Sequence, residues 1–326
     1  MTELKSIKLL AGNGGHAVTR ARIEEMFDTV ISSPEDVAKM QADERAQIRA
    51  IASLFIPVDA ALIDLLPNLE IISSFGVGYD HIDAQHAAKK NVVVTHTPSV
   101  LDDEVADTTV GLLLNTVREL YHAEQYLREN RWESEGNYPL SSLSMRNRTI
   151  GIFGLGRIGR TIAKRLSGFD VAIHYHSRNP VDGVDFTYYS SLEEMAEAVD
   201  TLISVVPGTA ATHHAINANI LKLLGSRGVL VNVGRGPVVD EEALIAALKD
   251  GTIAAAGLDV FEEEPKVPQA LREMKNVSLL PHVASASQDT RNAMGALVID
   301  NLEAWFKTGQ AKTPTPETAH IKSSKA

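Results

Sequence analysis

Residues 149–159 read TIGIFGLGRIG. The first five are apolar or small, as in a buried strand, and the apolar run at 158–166 reads as a helix. Between them stand Gly154, Gly156 and Gly159, spaced G-x-G-x-x-G. Each glycine has its own task in that setting. Gly154 allows a tight turn, Gly156 lets the backbone approach a pyrophosphate, and Gly159 lets the helix pack closely on the sheet. The phosphates then rest on the free N–H groups of the helix start, at Arg157 and Ile158. Glycine-rich strand–helix turns also occur without ligands. The position between strand and helix is what favours a dinucleotide.

The next strand bears on which dinucleotide. An NAD site wants Asp or Glu about 20 residues on, to hold the ribose 2′-hydroxyl. The run VAIHYH at 171–176 instead ends on His176, followed by Ser177 and Arg178. A guanidinium there pairs with a 2′-phosphate. The plain alternative is a solvated loop arginine. The missing carboxylate and the arginine point the same way, to NADP(H) over NAD(H), with NAD(H) still possible.

Outward from this stretch the chain alternates short apolar strands with helices. Residues 6–10, 48–51, 69–73 and 91–95 read as buried strands, with helices at 21–26, 33–40, 59–66 and 82–90 between them. After 149 the alternation resumes, with strands expected at 171–176, 201–206, 229–233, 253–258 and 277–280. The expected fold class is α/β, with parallel sheets. A single long helix is expected over 101–128, then an aromatic, aperiodic surface arm at 131–148. Another long helix is expected over 287–306, followed by a loose polar tail.

Composition narrows the function. The 326 residues suggest two domains of ordinary size. Lys plus Arg total 31 against 42 Asp plus Glu, a net charge of −11. So acidic a surface argues against nucleic-acid binding and against docking on an anionic membrane. Cysteine is absent, which excludes disulfides, thiolate nucleophiles and Cys-ligated metals. No signal-peptide core or membrane-length apolar run is present, so the expected location is cytoplasmic.

Three later segments carry unusual polar residues at strand ends. VNVGRGPVVD at 231–240 places Arg235 between glycines, AGLDVFEEEP at 256–265 carries Asp259 and Glu264, and SLLPHVASAS at 278–287 carries His282. In open α/β sheets ligands collect at the carboxyl ends of strands. A guanidinium grips a carboxylate with two parallel bonds. A histidine exchanges a proton with a carbonyl or hydroxyl, and a glutamate bonded to it favours its protonated form. Beside a nicotinamide, this set suits hydride transfer to a 2-oxo acid. Asp259 either supports the histidine or caps its strand. His213 and His214 are sequence neighbours and are not expected to point at one site; His174 and His176 share a strand face without further ligands. No metal site is expected.

These residues resemble the D-isomer-specific 2-hydroxyacid dehydrogenases. The likeness runs through SFGVGYDHID (74–83), VTHTPSVLDDEVADTTVGLLL (94–114), GIFGLGRIGR (151–160), VVPGTAATHHAIN (205–217), VNVGRGPVVDE (231–241), GLDVFEEEP (257–265) and LLPHVASAS (279–287). Within the family it is most similar to glyoxylate/hydroxypyruvate and hydroxyphenylpyruvate reductases. The resemblance implies two Rossmann-like doubly wound domains with a cleft between them. It implies a substrate-binding, flavodoxin-like domain from residues 1–101 plus 297–326, and a dinucleotide-binding Rossmann domain at 102–296. It implies Arg235, Glu264 and His282 as the catalytic set, with backbone N–H groups at Val77 and Gly78 on the substrate carboxylate. Val206, Val233, Asp259, Arg157 and Ile158 match positions near the cofactor. It also implies a homodimer, for which the aromatic arm around Trp132 and Tyr138 is the expected contact. Leu54, Phe55 and Trp132 are candidates for shaping the pocket. Ala284 stands where the family commonly has glycine. Two other readings share the fold: a nucleotide-sensing corepressor-like binder, and a formate-dehydrogenase-like enzyme, which Glu264 in place of Gln argues against.

Overall fold

The computed structural model describes residues 4–323 except Asn13 and Gly15; the outermost three residues at each end of the expected first domain lie outside it. The chain forms two compact units, Met1–Leu101 with Ser287–Ala326, and Asp102–Ala286.

The first unit holds five parallel strands: β1 (Lys8–Ala11), β2 (Asp28–Ile31), β3 (Ile48–Ala52), β4 (Ile71–Ser73) and β5 (Val93–Thr95). Their order is β2-β1-β3-β4-β5, the flavodoxin-like arrangement. β4 and β5 are buried along their whole length, as expected of strands covered on both faces. Edge strand β2 is only partly covered, so it lacks the apolar run that marks the others in the sequence.

The second unit holds seven parallel strands: β6 (Thr149–Phe153), β7 (Ala172–His176), β8 (Thr187–Tyr189), β9 (Thr201–Ser204), β10 (Val229–Asn232), β11 (Ala255–Leu258) and β12 (Val277–Leu279). The order is β12-β11-β10-β9-β6-β7-β8. The strand order reverses at β6, with β9 on one side and β7 on the other. The carboxyl edge of this switch point is where such sheets bind ligands. The helix Arg157–Leu166 turns Gly159, Ile162, Ala163 and Leu166 inward, one face of a helical repeat.

The helix expected over 101–128 is two helices, Asp102–Arg118 and Leu120–Arg128, parted by Glu119 in a left-handed conformation (φ 53°). No glycine or proline marks the break. Asn115 Oδ1 accepts the Tyr121 N–H at 2.8 Å, and Glu119 accepts the Tyr138 hydroxyl at 3.0 Å, so side chains make the corner. Part of the expected arm is itself helical, Arg131–Glu135.

The tail expected to be loose is tied down. Thr315 and Thr318 are buried; Thr315 N–H donates to Val94 O at 2.8 Å, and Thr318 Oγ1 accepts from Val94 N–H at 3.0 Å. These bonds extend the first sheet beyond β5 and explain how a polar segment is ordered. The terminal helix Gln288–Thr308 also belongs whole to the first unit, whose second segment starts at Ser287, not at the expected 297. It is capped by Ser287, which accepts the Thr290 N–H at 3.2 Å, and its Val298 carbonyl accepts the Ser73 hydroxyl at 3.1 Å. No helix among the described residues is long and apolar enough to cross a membrane.

Gly295 is where this terminal helix meets the helix Ala17–Met26: a Cβ there would lie 1.8 Å from Thr19 Oγ1. Gly→Ala inside a helix normally stabilises by about 1 kcal/mol through propensity. Here overpacking, roughly 1–3 kcal/mol, opposes it, and the buried β-branched Thr19 has little freedom to yield. Gly295→Ala is therefore expected to lower the urea midpoint, and Thr19→Ala in the same chain to recover part of the loss. A raised midpoint in the single variant would contradict the close approach.

Candidate active site

The turn after β6 is built on glycines for steric reasons. Gly154 has φ +103°, and a Cβ there would lie 2.8 Å from Val206 Cγ1. A Cβ on Gly159 would sit 2.1 Å from the Gly154 carbonyl oxygen, so the helix could not approach the turn. Gly156 differs: a Cβ there meets no protein atom within 4 Å. Gly156 is the N-cap of Arg157–Leu166, and no side chain caps that helix. Its first N–H groups have no intrahelical acceptor. Open space over unclaimed donors fits a pyrophosphate. Arg157 is exposed, its Nε 3.5 Å from Asp102 Oδ2, and Ile158 is half-buried.

His176 ends β7, next to this turn. Its carbonyl accepts the Gly154 N–H at 2.9 Å, its ring stacks on Phe153, and its Nδ1 lies 2.9 Å from Tyr189 O. Ser177 donates to Asn179 O at 2.7 Å. The Arg178 side chain is exposed, with no partner among the described residues. His174 stacks on Tyr189 and its pKa is lowered by burial, which explains it without a ligand.

The three later segments converge within the second unit because β10, β11 and β12 are adjacent, parallel and in register, Asn232 opposite Leu258 and Leu258 opposite Leu279. The residues that follow leave the sheet side by side. Arg235 is half-buried, and its Nη1 donates to Gly234 O at 2.8 Å. Its flanking glycines let strand ends touch. A Cβ on Gly234 would lie 2.6 Å from Val206 O, and one on Gly236 would lie 1.8 Å from Phe261 O. Buried Asn232 holds the turn, accepting the Gly234 N–H and donating to Arg235 O.

Glu264 joins this turn to the histidine. Its Oε1 accepts the Phe261 N–H at 3.0 Å, and its Oε2 lies 2.7 Å from His282 Nδ1. Burial alone would raise the Glu264 pKa. The bond to His282, the Phe261 N–H and the charges of His282 and Arg235 outweigh it, and the pKa lies below the ordinary value. Nδ1 being engaged, the other ring nitrogen, Nε2, is left for a reactant.

His282 sits at φ +53°, and Asp259 accounts for that. The Asp259 carbonyl accepts the His282 N–H at 2.8 Å, while its two carboxylate oxygens accept the Val283 and Ala284 N–H groups at 2.7 and 3.0 Å. Burial raises the Asp259 pKa; these N–H donors pull it down, and burial prevails. Asp259 thus clamps the turn that carries His282. Val206 and Val233 are buried at the ends of β9 and β10.

In the first unit Val77 and Gly78 lie in a loop after β4; the Val77 carbonyl lies 3.0 Å from His96 Nδ1. Leu54 is buried and Phe55 exposed, both at positive φ (41° and 76°), with Phe55 edge-on to Phe75. Asn232 escaped the sequence reading. Its only signal was a lone amide at the end of an otherwise apolar strand. So did the pairing of His213 with His214, whose rings stack at 4.0 Å between centroids. Neighbouring side chains normally diverge, but His214 is left-handed (φ 49°), which brings the rings together.

Comparisons with known proteins give the family. The profile of the D-isomer specific 2-hydroxyacid dehydrogenase family, NAD binding domain, matches residues 110–284. A glyoxylate/hydroxypyruvate reductase A of Arabidopsis thaliana is 42% identical over 283 residues, 87% of this chain and 90% of that protein. A hydroxyphenylpyruvate reductase of Plectranthus scutellarioides is 46% identical over 256 residues, 78% of this chain and 81% of that protein. An NADPH-dependent glyoxylate/hydroxypyruvate reductase from Sinorhizobium meliloti, in a crystal structure with NADP and malonate, is 55% identical, with a TM-score of 0.93 over 98% of this chain and 99% of that one. Both the matched profile and these relatives place the chain in the D-isomer specific 2-hydroxyacid dehydrogenase family, as an oxidoreductase with an NAD(P)-binding domain.

Proposed function

We propose that this chain reduces a small 2-oxo acid, of the class of glyoxylate, hydroxypyruvate or an aryl pyruvate, to the D-2-hydroxy acid with NADPH. The observation that carries the reading is the 2.7 Å contact of His282 Nδ1 with Glu264, beside the Arg235 turn on the neighbouring strand end. A bound reduced nicotinamide supplies the hydride. Arg235 holds the substrate carboxylate by two parallel bonds. His282 gives a proton from Nε2 to the carbonyl oxygen as negative charge develops there. Glu264 keeps the ring oriented and, being ionised, favours its charged form. The relatives named for glyoxylate, hydroxypyruvate and hydroxyphenylpyruvate support the substrate class.

The NADPH preference rests on the end of β7. A carboxylate there would bond the ribose hydroxyls of NAD and repel a 2′-phosphate; His176 does neither. Arg178 is placed in sequence to take the phosphate, and the Ser177 hydroxyl joins it on turning away from Asn179 O. The NADP held by the Sinorhizobium reductase supports this reading. The homodimer rests on exposed apolar side chains: Leu120, Tyr121, Leu127 and Trp132 are about half or more exposed, and Leu140 is 98% exposed. Apolar surface of that kind in one segment marks an interaction site.

Removing the acid tests the site first. His282→Ala is expected to lower kcat for 2-oxo acid reduction by about 10²–10⁴-fold while NADPH binding, followed by fluorescence, is largely kept. In Glu264→Gln the neutral amide no longer favours the imidazolium, so the pH–rate profile for reduction should move to lower pH. An unmoved profile would separate the two residues.

Cofactor choice is read from Arg178→Ala. A charge-assisted bond of about 1.5–3 kcal/mol corresponds to roughly 10–150-fold in KM for NADPH, with that for NADH little changed. Equal kcat/KM for both cofactors in the unaltered protein would sink the preference itself. Assembly is read by light scattering at micromolar concentration: a particle of 35.3 kDa, one chain, would reject the dimer.

A further inference from the structure

His213, His214 and Glu262 lie together in the second unit, outside the Arg235–Glu264–His282 set. Each offers one ligand atom, and the three atoms lie within 4.8 Å of one another. His214 Nε2 is 2.6 Å from Glu262 Oε1. His213 is exposed, and its ring nitrogens make no hydrogen bond among the described residues. Its ring nevertheless stacks on that of His214 and turns toward the same carboxylate. The left-handed backbone at His214 makes this possible, and the His214 N–H donation to Pro237 O at 2.8 Å fixes it.

From this geometry we infer that His213, His214 and Glu262 form a site for a divalent transition ion, with Zn²⁺ the fitting choice. Two imidazoles and one carboxylate are a donor set that borderline ions accept and Mg²⁺ or Ca²⁺ do not favour. Zn–N and Zn–O bonds of about 2.0–2.2 Å set tetrahedral ligand atoms roughly 3.3–3.5 Å apart. The ligand atoms, all within 4.8 Å of one another, reach that spacing by rotation of the exposed His213 and a slight opening of the His214–Glu262 contact. The fourth position faces solvent and takes water.

The surroundings favour a cation. Glu262 N–H donates to Glu241 Oε1 at 2.9 Å, and Glu263 and Glu264 follow in the chain. This accumulated negative charge is lowered in energy by a bound dication. The ion would also tie the segment before the helix Ala218–Leu224 to the one that carries Glu264.

The site is tested by calorimetric titration of the full chain with Zn²⁺ in a non-chelating buffer. His320→Ala, which removes an exposed histidine elsewhere, serves as the control. Saturable equimolar binding is expected in the unaltered protein and in His320→Ala. It should be weaker by about tenfold or more in His213→Ala and in Glu262→Gln, since even residues behind a ligand matter 10–100-fold. His213 is exposed, so its replacement tests the site even where Glu262→Gln perturbs folding. Absence of saturable binding, or equal affinity in His213→Ala, overturns the proposal.

Discussion

Asp259 holds the second unit's carboxyl edge together by accepting three hydrogen bonds from the N–H groups of His282–Ala284, one at its carbonyl and two at its carboxylate. A left-handed non-glycine residue costs about 1–3 kcal/mol. Hydrogen bonds to a charged acceptor contribute about 1.5–3 kcal/mol each, so the two carboxylate bonds suffice to hold the turn. In that turn the imidazole meets Glu264, its Nδ1 2.7 Å from Oε2. Relax it to an extended strand end and the side chain points elsewhere. The histidine's chemistry therefore depends on a carboxylate that is itself buried and does not touch the ring nitrogens.

The same edge depends on atoms that are missing. Gly234 and Gly236 flank Arg235, and a Cβ on either would strike the backbone of a neighbouring segment, at Val206 or Phe261. These contacts draw the ends of β9, β10 and β11 to one place. Arg235 is thus positioned by what stands beside it in sequence, and its charge reaches Glu264 strongly enough to help lower that residue's pKa.

Much of this was legible in the sequence, because the signals were local. A buried parallel strand announces itself by a short apolar run, and TIGIFGLGRIG carries its strand, turn and helix within eleven residues. Arg235, Glu264 and His282 each follow such a strand, and a parallel sheet brings strand ends together whatever their separation along the chain. What escaped was set by partners distant in sequence. The break at Glu119 depends on Asn115 and Tyr138 side chains. The tail at 313–321 is polar and looks loose until Val94 and His96 supply its hydrogen bonds. Edge strands β2 and β8 need little apolar surface, so they carry no run. The stacking of His213 on His214 depends on one backbone angle that no histidine pair encodes by composition.

The two carboxylates at the histidine are shifted in opposite directions, and their partners explain why. Glu264 faces cationic groups, His282 and Arg235, so its charged form is favoured against burial. With its pKa depressed in the folded state, its contribution to stability is present above the ordinary glutamate range and is lost as pH falls through the folded value. Asp259 is more deeply buried, and its direct partners are backbone N–H dipoles. Its raised pKa means the reverse: a stabilising contribution present below the ordinary aspartate range and lost as pH rises through the folded value. The fold therefore holds the charged form of Asp259 at a cost and that of Glu264 at a gain. The cost is offset because the Val283 and Ala284 N–H groups both donate to this carboxylate, and such bonds are strongest to its charged form. The gain is useful because the ionised Glu264 carboxylate keeps His282 oriented. One carboxyl group fixes the backbone of the turn, the other the ring that the turn presents.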